Sequence, residues 1–291
     1  MNIQLENDEQ IIGERERTVL ELAIEQGVQI TNACKGKARC STCRVVVVRG
    51  EVAQRTEKEQ ALAERLGLPE NVRLSCQLKT RGDVELRRVV KDDLDRKLLH
   101  QANSAEERNL AILFSDIRSF TTFSERHLPY DIVHILNRYF FEMGESVKAH
   151  HGRIDKYMGD GIMAIFGLDG DNHPAIDAFG AAKDMVRRLQ GFNTWLETSY
   201  GEQFEIGIGL HYGTVVVGDL GHTESASFTA IGDTVNVAAR IESATKNRCT
   251  ILVSEPVYQE IEAEGWESTE LLLKGKTEPL HLYACPKAQE T

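Results

Sequence analysis

The sequence predicts an α+β chain built as two domains. Three observations carry that expectation. Four of the six cysteines, Cys34, Cys40, Cys43 and Cys76, fall in the first third of the 291 residues. Charge is divided unevenly: residues 1–90 hold 15 Lys/Arg against 14 Asp/Glu, a net of +1, and residues 91–291 hold 19 against 31, a net of −12. The texture of the sequence changes at Glu107, where longer apolar strands and amphipathic helices begin. The expected boundaries are 1–90 for the first domain, 91–107 for a charged helical linker, and 108–291 for the second.

In the first domain, Thr18 is a plausible helix N-cap, and Leu20, Ala23 and Ile24 recur at helical spacing up to Gly27. Arg44 to Val48 reads as a β-branched strand closed by Gly50. A second helix is expected from Thr56 to Leu66, with Glu57 and Glu59 in its first turn and Gly67 and Pro69 at its end. Short strands near Val72 to Leu74 and Val84 to Leu86 complete the domain.

In the second domain, Leu110 to Phe114 reads as an apolar strand running into Ser115-Asp116, followed by a helix through Ile132, Ile135, Leu136, Tyr139, Phe140 and Met143. Two strands joined by a tight turn are expected around Lys156-Tyr-Met-Gly-Asp160-Gly, then a long helix over 175–200. The alternation Phe204, Ile206, Ile208, Leu210 followed by Val215 to Val217 reads as a hairpin. In the linker, Leu94, Leu98 and Leu99 form an apolar stripe.

Several function classes are excluded as expectations. The acidic part carries no basic stripe, so nucleic acid is not an expected partner. The longest apolar runs, such as Val45 to Val48 and Leu271 to Leu273, are far too short for a membrane span. Met1 to Gln10 is acidic and lacks a signal-peptide pattern, so a cytoplasmic protein is expected. In that compartment six cysteines point to metal binding or free thiols rather than disulfides. Cys249 and Cys285 stand alone and are expected to be ordinary thiols.

Cys34, Cys40 and Cys43 lie within ten residues, with small residues between them, so three thiolates can wrap one inorganic core while backbone N–H groups point at the sulfurs. Cys76 returns from a distant strand as a fourth ligand. A Cys₄ zinc site is the competing reading, although only Cys40 and Cys43 make the short-spaced pair that zinc sites use twice. Plant-type ferredoxins place four residues between the first two cysteines, whereas this chain has five. The spacing Cys-x₅-Cys-x₂-Cys and the segment Arg73-Leu-Ser-Cys76-Gln resemble the adrenodoxin-like branch of [2Fe–2S] ferredoxins, over about residues 1–90. The resemblance implies a β-grasp domain holding a [2Fe–2S] cluster on these four cysteines, with an electron-donor protein as a candidate partner.

Asp116 at a strand end and Asp160 in a hairpin turn are each ordinary turn residues taken singly. Together they can hold two divalent ions about 4 Å apart, as two-metal phosphoryl chemistry requires. The backbone N–H groups that start the following helix offer a cradle for phosphate. Asn236 and Arg240 lie four apart and share a helix face, where they can orient a ribose and stabilise phosphoryl charge. In isolation an ordinary surface pair looks the same.

The segments around Asp116, Asp160 and Phe228–Arg240, in that order and spacing, resemble the class III nucleotidyl cyclases over about residues 108 to 285. The resemblance implies a ferredoxin-like βαββαβ core and conversion of ATP to 3′,5′-cyclic AMP and pyrophosphate. It implies two Mg²⁺ or Mn²⁺ per site on Asp116, Asp160 and the Ile117 carbonyl. Asn236 and Arg240 would act on ribose and transition state, and Phe120 and Thr121 would contact the substrate. Lys156 and Thr229 would read the purine, and Lys274, rather than Lys276, would meet the terminal phosphates.

Many adenylyl cyclases of the family have Asp where this chain has Thr229. The Thr229 hydroxyl can accept from adenine N6 or donate to guanine O6, whereas Lys156 suits adenine N1 as a donor and opposes guanine N1–H. ATP is therefore the expected substrate. The resemblance further implies sites that lie between two cyclase domains, with the metal carboxylates from one and Asn and Arg from the other. Every element occurs once here, so a head-to-tail homodimer with two equivalent sites is expected. Regulation by the redox state or occupancy of the cluster is expected. The alternative is a redox or iron sensor whose cyclase fold binds nucleotide without turnover.

Overall fold

A computed structural model describes residues 1–6, 9–13, 16–89, 105–170, 173–221, 226–272 and 278–290. The chain divides into two compact units, Met1–Ala105 with Gly218–Gly221, and Glu106–Val217 with His222–Thr291. The apolar stripe expected in the linker and both candidate phosphate lysines, Lys274 and Lys276, lie outside the described residues. Among the described residues, no helix is long and apolar enough to cross a membrane.

The first unit carries a five-stranded mixed sheet in the order β2-β1-β5-β3-β4, built from Asn2–Gln4 (β1), Gln10–Ile12 (β2), Arg44–Arg49 (β3), Val72–Leu74 (β4) and Val84–Arg88 (β5). β1 runs parallel to β5, and the other pairs are antiparallel, as a β-grasp requires. Helix α1 (Val19–Glu25) starts at a capping box, in which Thr18 accepts from the Glu21 N–H and Glu21 reaches back to Thr18. Val19, Leu20, Leu22 and Ala23 are buried, but Ile24 faces solvent, so the buried face lies one residue earlier than the spacing predicts. Helix α2 (Glu57–Leu66) begins at Thr56 and ends at Gly67, whose φ of 61° is the left-handed conformation glycine adopts without strain.

Glu59 does more than suit a helix start. It is buried and receives a two-pronged bond from Arg73, Nε at 3.0 Å and Nη2 at 2.8 Å, together with the Leu74 N–H at 2.7 Å. With Arg73 Nη1 also donating to the Ala53 carbonyl, each of the three guanidinium nitrogens of this buried ion pair has an acceptor. The bridge pins β4 to α2 three residues before Cys76.

The second unit is an eight-stranded sheet in the order β12-β13-β11-β9-β6-β8-β7, with β10 paired to β9. Its strands are β6 (Glu106–Ile117), β7 (Gly152–Met158), β8 (Gly161–Phe166), β9 (Ile206–Leu220), β10 (Ser227–Ile231), β11 (Ile251–Ser254), β12 (Glu267–Leu271) and β13 (Leu280–Ala284). The helices are α3 (Phe120–Arg126), α4 (Pro129–Ala149), α5 (Pro174–Tyr200), α6 (Asp233–Ala244) and α7 (Glu255–Glu260). The main core sets α4 and α5 on one sheet face, with Tyr139, Met143, Phe166, Ala178, Ala182, Ile208 and Leu210 fully buried.

The hairpin expected over 204–217 is instead the single strand β9. All twelve residues of β6 pair with it, from Glu106 opposite Val217 to Ile117 opposite Ile206, and this continuous ladder outweighs any local tendency of Gly213-Thr214 to turn. The alternating glycines of β9 serve the other sheet face. A Cβ on Gly209 would sit 2.2 Å from the Glu242 backbone nitrogen, so only glycine lets α6 lie this close to the strand.

Candidate active site and cluster site

Asp116 is the penultimate residue of β6, opposite Gly207 of β9. Asp160 arrives from the β7–β8 turn, which Gly159 makes possible with φ of 66°. Its Oδ2 accepts from the Ile117 backbone N–H at 3.2 Å. Burial, then the adjoining Asp116 carboxylate, pushes the Asp160 carboxyl up to about 7. Two like charges drawn together in this way fit a divalent cation, which removes their repulsion and takes oxygen ligands. Phe120 and Thr121 line the same cavity of about 340 Å³.

Glu242, from the end of α6, is a third carboxylate on this cavity that the sequence reading missed. Burial raises its carboxyl, and Arg118 works against that through an ion pair at 3.0 Å. Arg118 also bonds the Thr245 hydroxyl. It therefore ties the strand end that bears Asp116 to α6. Nothing in a lone Glu of a helix marks it in sequence, because its position depends on the close approach at Gly209.

A second polar group lies on β7 and β10. Lys156 Nζ is 3.0 Å from Thr229 Oγ1 and 3.0 Å from Asp155 Oδ2, and the Thr229 hydroxyl donates to Asp155 Oδ2 at 2.8 Å. Asp155 was not expected here. The register of β7 against β8 shifts between Ile154 and Lys156, and such a bulge lets neighbouring side chains share one direction.

Asn236 and Arg240 lie on α6 away from its buried face of Val237, Ala238 and Ile241. Neither lines the Asp116–Asp160 cavity. Within one chain the structure thus brings together Asp116, Ile117, Phe120, Thr121 and Asp160, and separately Lys156 and Thr229.

The cysteine loop turns through left-handed conformations at Lys35 (φ 53°), Gly36 (φ 81°) and Ala38 (φ 53°). Its turns aim backbone N–H groups of Lys37, Arg39 and Cys40 at Cys34, and that of Ala38 at Cys76. The thiols fall into two pairs: Cys43 Sγ lies 3.5 Å from Cys76 Sγ, and Cys34 bonds Cys40. Cys43 is raised, first by its bond to Cys76 and then by burial, and Cys76 is lowered through the same bond. Among the described residues no three metal-ligating side chains converge on one point. Two thiol pairs fit the two irons of a [2Fe–2S] cluster, whereas one zinc ion requires all four sulfurs around itself.

Residues 102–284 match the family model for the adenylate and guanylate cyclase catalytic domain, and residues 3–81 match that for the 2Fe-2S iron-sulfur cluster binding domain. The chain belongs to the adenylate and guanylate cyclase family and carries an N-terminal 2Fe-2S domain. An adenylate cyclase of Anabaena cylindrica is 39% identical over 193 residues, covering 63% of this chain and 38% of that protein. Adenylate cyclase 1 of Rhizobium meliloti is 36% identical over 152 residues, covering 52% of this chain and 23% of that protein. The chain thus spans well under half the length of these relatives. Among solved structures, the adenylyl cyclase CyaB from P. aeruginosa aligns with a TM-score of 0.56 at 28% identity, over 64% of this chain and 98% of that one. The guanylyl cyclase Cya2 aligns with a TM-score of 0.57 at 29% identity, over 63% and 96%.

Proposed function

We propose that this chain is an adenylyl cyclase that converts ATP to 3′,5′-cyclic AMP and pyrophosphate, with its sites shared between two copies of the chain. The observation that carries the reading is the meeting of Asp116 with Asp160 above a cavity that Phe120 and Thr121 also line. Two divalent cations, Mg²⁺ or Mn²⁺, held by Asp116, Asp160 and the Ile117 carbonyl, supply charge neutralisation and acidify the ribose 3′-hydroxyl when bound.

The chain's own residues position the reaction. Lys156 donates to adenine N1, and Thr229 completes the purine contact. Asn236 orients the ribose, and Arg240 offsets the charge that develops on the α-phosphate. Both come from the second copy, in keeping with neither of them lining the carboxylate cavity of their own chain. The 3′-oxygen forms a bond to the α-phosphorus, the bond from that phosphorus to the bridging oxygen breaks, and the hydroxyl proton passes to solvent. Phosphoryl transfer of this kind is carried by positioning and charge.

Relatives of both purine types share the fold, and Lys156 supports ATP over GTP. The purified chain should form cyclic AMP from ATP at a higher kcat/KM than cyclic GMP from GTP, and the reverse order would refute the reading.

Cys34, Cys40, Cys43 and Cys76 hold the [2Fe–2S] cluster in this proposal. Cyclisation is redox-neutral, so the cluster regulates rather than supplies electrons, and an electron-donor protein sets its state. Anaerobic titration of cyclase activity against potential tests this, and equal activity in both oxidation states would sink it.

A further inference from the structure

We infer that Asp155 is a specificity-determining positioning residue, which selects adenine by fixing the Thr229 hydroxyl as a hydrogen-bond acceptor. The inference rests on the proposed role of Lys156 and Thr229 in reading the purine. A threonine hydroxyl has one hydrogen and two lone pairs, so by itself it serves an adenine amino group and a guanine carbonyl equally. Here the hydrogen is already committed, because Thr229 donates to Asp155 Oδ2 at 2.8 Å. Asp155 is the anionic partner of Lys156 at 3.0 Å, and its oxygens only accept. Lys156 fills one lone pair of Thr229 at 3.0 Å. One lone pair is left, and it can only receive a donor.

The same count settles Lys156. Its ammonium has three hydrogens, of which Asp155 and Thr229 take one each, leaving one for a base acceptor. The free edge of the triad therefore shows one acceptor beside one donor. Adenine presents the complement, an N6 amino hydrogen beside the N1 lone pair. Guanine held in the same alignment turns O6 to Thr229 and N1–H to Lys156, which mismatches at both positions.

Burial makes the arrangement firm. The Asp155 side chain is 1% exposed and Thr229 is buried, whereas the Lys156 side chain is 44% exposed, so the carboxylate and the hydroxyl it fixes are shielded from water. The bulge between Ile154 and Lys156 is what permits consecutive residues of β7 to act on one hydroxyl. A buried carboxylate that lost the Thr229 hydrogen would be left with an unmet acceptor, so rotation of the hydroxyl toward guanine O6 is opposed.

The test compares ATP with GTP, by kcat/KM and by competition against a ribose-labelled fluorescent ATP analogue, on the full chain. Asp155→Asn supplies an amide that can donate to Thr229 and release its hydrogen. The ATP-to-GTP ratio should fall at least tenfold. In a Thr229→Val background the same change should leave the ratio unmoved, which a purely structural role of Asp155 does not predict. Asp155→Asn/Thr229→Asp keeps the charge count and places an obligate acceptor at position 229, so it should restore the preference for ATP. An unchanged ratio in Asp155→Asn, an equal shift in the Thr229→Val background, or failure of the double variant to restore the preference overturns the inference while leaving the cyclase reading intact. A wild-type chain that favours GTP overturns both.

Discussion

Asp160 lies in a hairpin turn, yet its carboxylate accepts from the backbone N–H of Ile117, at the end of a strand 43 residues earlier, at 3.2 Å. This bond sets the turn against the end of β6 and fixes Asp160 beside Asp116. Either Asp116→Ala or Asp160→Ala should lower turnover by at least about a hundredfold, since each removes charge from the reacting phosphate's surroundings. Circular dichroism and melting in EDTA should stay near wild type, because the substitution relieves a repulsion. Full activity in either variant would remove the paired carboxylates from the mechanism.

Inactive chains should rescue one another. Mixing equal amounts of Asp160→Ala and Arg240→Ala chains yields heterodimers in which both lesions fall in one site and the other site is whole. Random pairing restores about one quarter of wild-type activity. A mixture that remains inactive after subunit exchange, verified by tagged pull-down, would place each site within one chain.

Cys34→Ser, Cys40→Ser, Cys43→Ser and Cys76→Ser should each lose iron and visible absorption, whereas Cys249→Ser and Cys285→Ser should keep both. Arg73→Ala should act on the cluster from a distance. It strands buried Glu59 and unpins β4, at a cost of about 3–5 kcal/mol. Iron and sulfide analysis with thermal melting decides it. One stoichiometric zinc in anaerobically prepared protein would contradict the cluster assignment.

Acid should weaken the second unit through Asp184. Burial pushes its carboxyl up, but the Arg188 hydrogen bond and the charges of Arg187 and Arg188 outweigh that and hold it below the usual aspartate value. A depressed folded-state value means stability that is present above the unfolded value and lost as pH falls through the folded one. Asp184→Asn should therefore cost about 1 kcal/mol at neutral pH, a modest figure because both arginines are partly solvated. The gap in Tm from wild type should close as pH drops through and below the ordinary aspartate range. A gap that stays constant to low pH would show that charge is not the cause.

Gly209→Ala should be among the most damaging single changes in the second unit. The added methyl meets backbone of α6 rather than a movable side chain, so helix or strand must shift, at a cost of about 1–3 kcal/mol. Because α6 bears Asn236, Arg240 and Glu242, activity should fall more steeply than stability. Unaltered Tm and turnover would show that the helix yields freely.

Local chemistry made much of this legible in the sequence. Thr18, Thr56 and Gly67 mark helix ends through backbone bonding that needs only near neighbours. The cysteine spacing and the acid at each of two strand ends signal chemistry for the same reason. What could not be read depends on partners distant in sequence. β9 runs straight through Gly213 because β6 pairs with it over twelve residues. Glu59 answers Arg73, Glu242 reaches its cavity through the close approach at Gly209, and Asp155 joins Lys156 through a bulge visible only in the register. The sequence predicts one helix after Asp116, where the structure has two, Phe120–Arg126 and Pro129–Ala149, parted by an extended His127.

The left-handed turns at Lys35 and Ala38 bear on the life of the protein in a cell. Residues with a Cβ hold that conformation at a cost of roughly 1–2 kcal/mol each, so something must keep the loop in place. Lys35, Lys37 and Arg39 put three trypsin-type cleavage points within the same stretch. A cluster on the flanking sulfurs would clamp these peptide bonds, and its loss should let the segment relax toward forms a protease can grip. Degradation would then remove iron-free copies selectively, and the abundance of the protein would follow the supply of iron and sulfide.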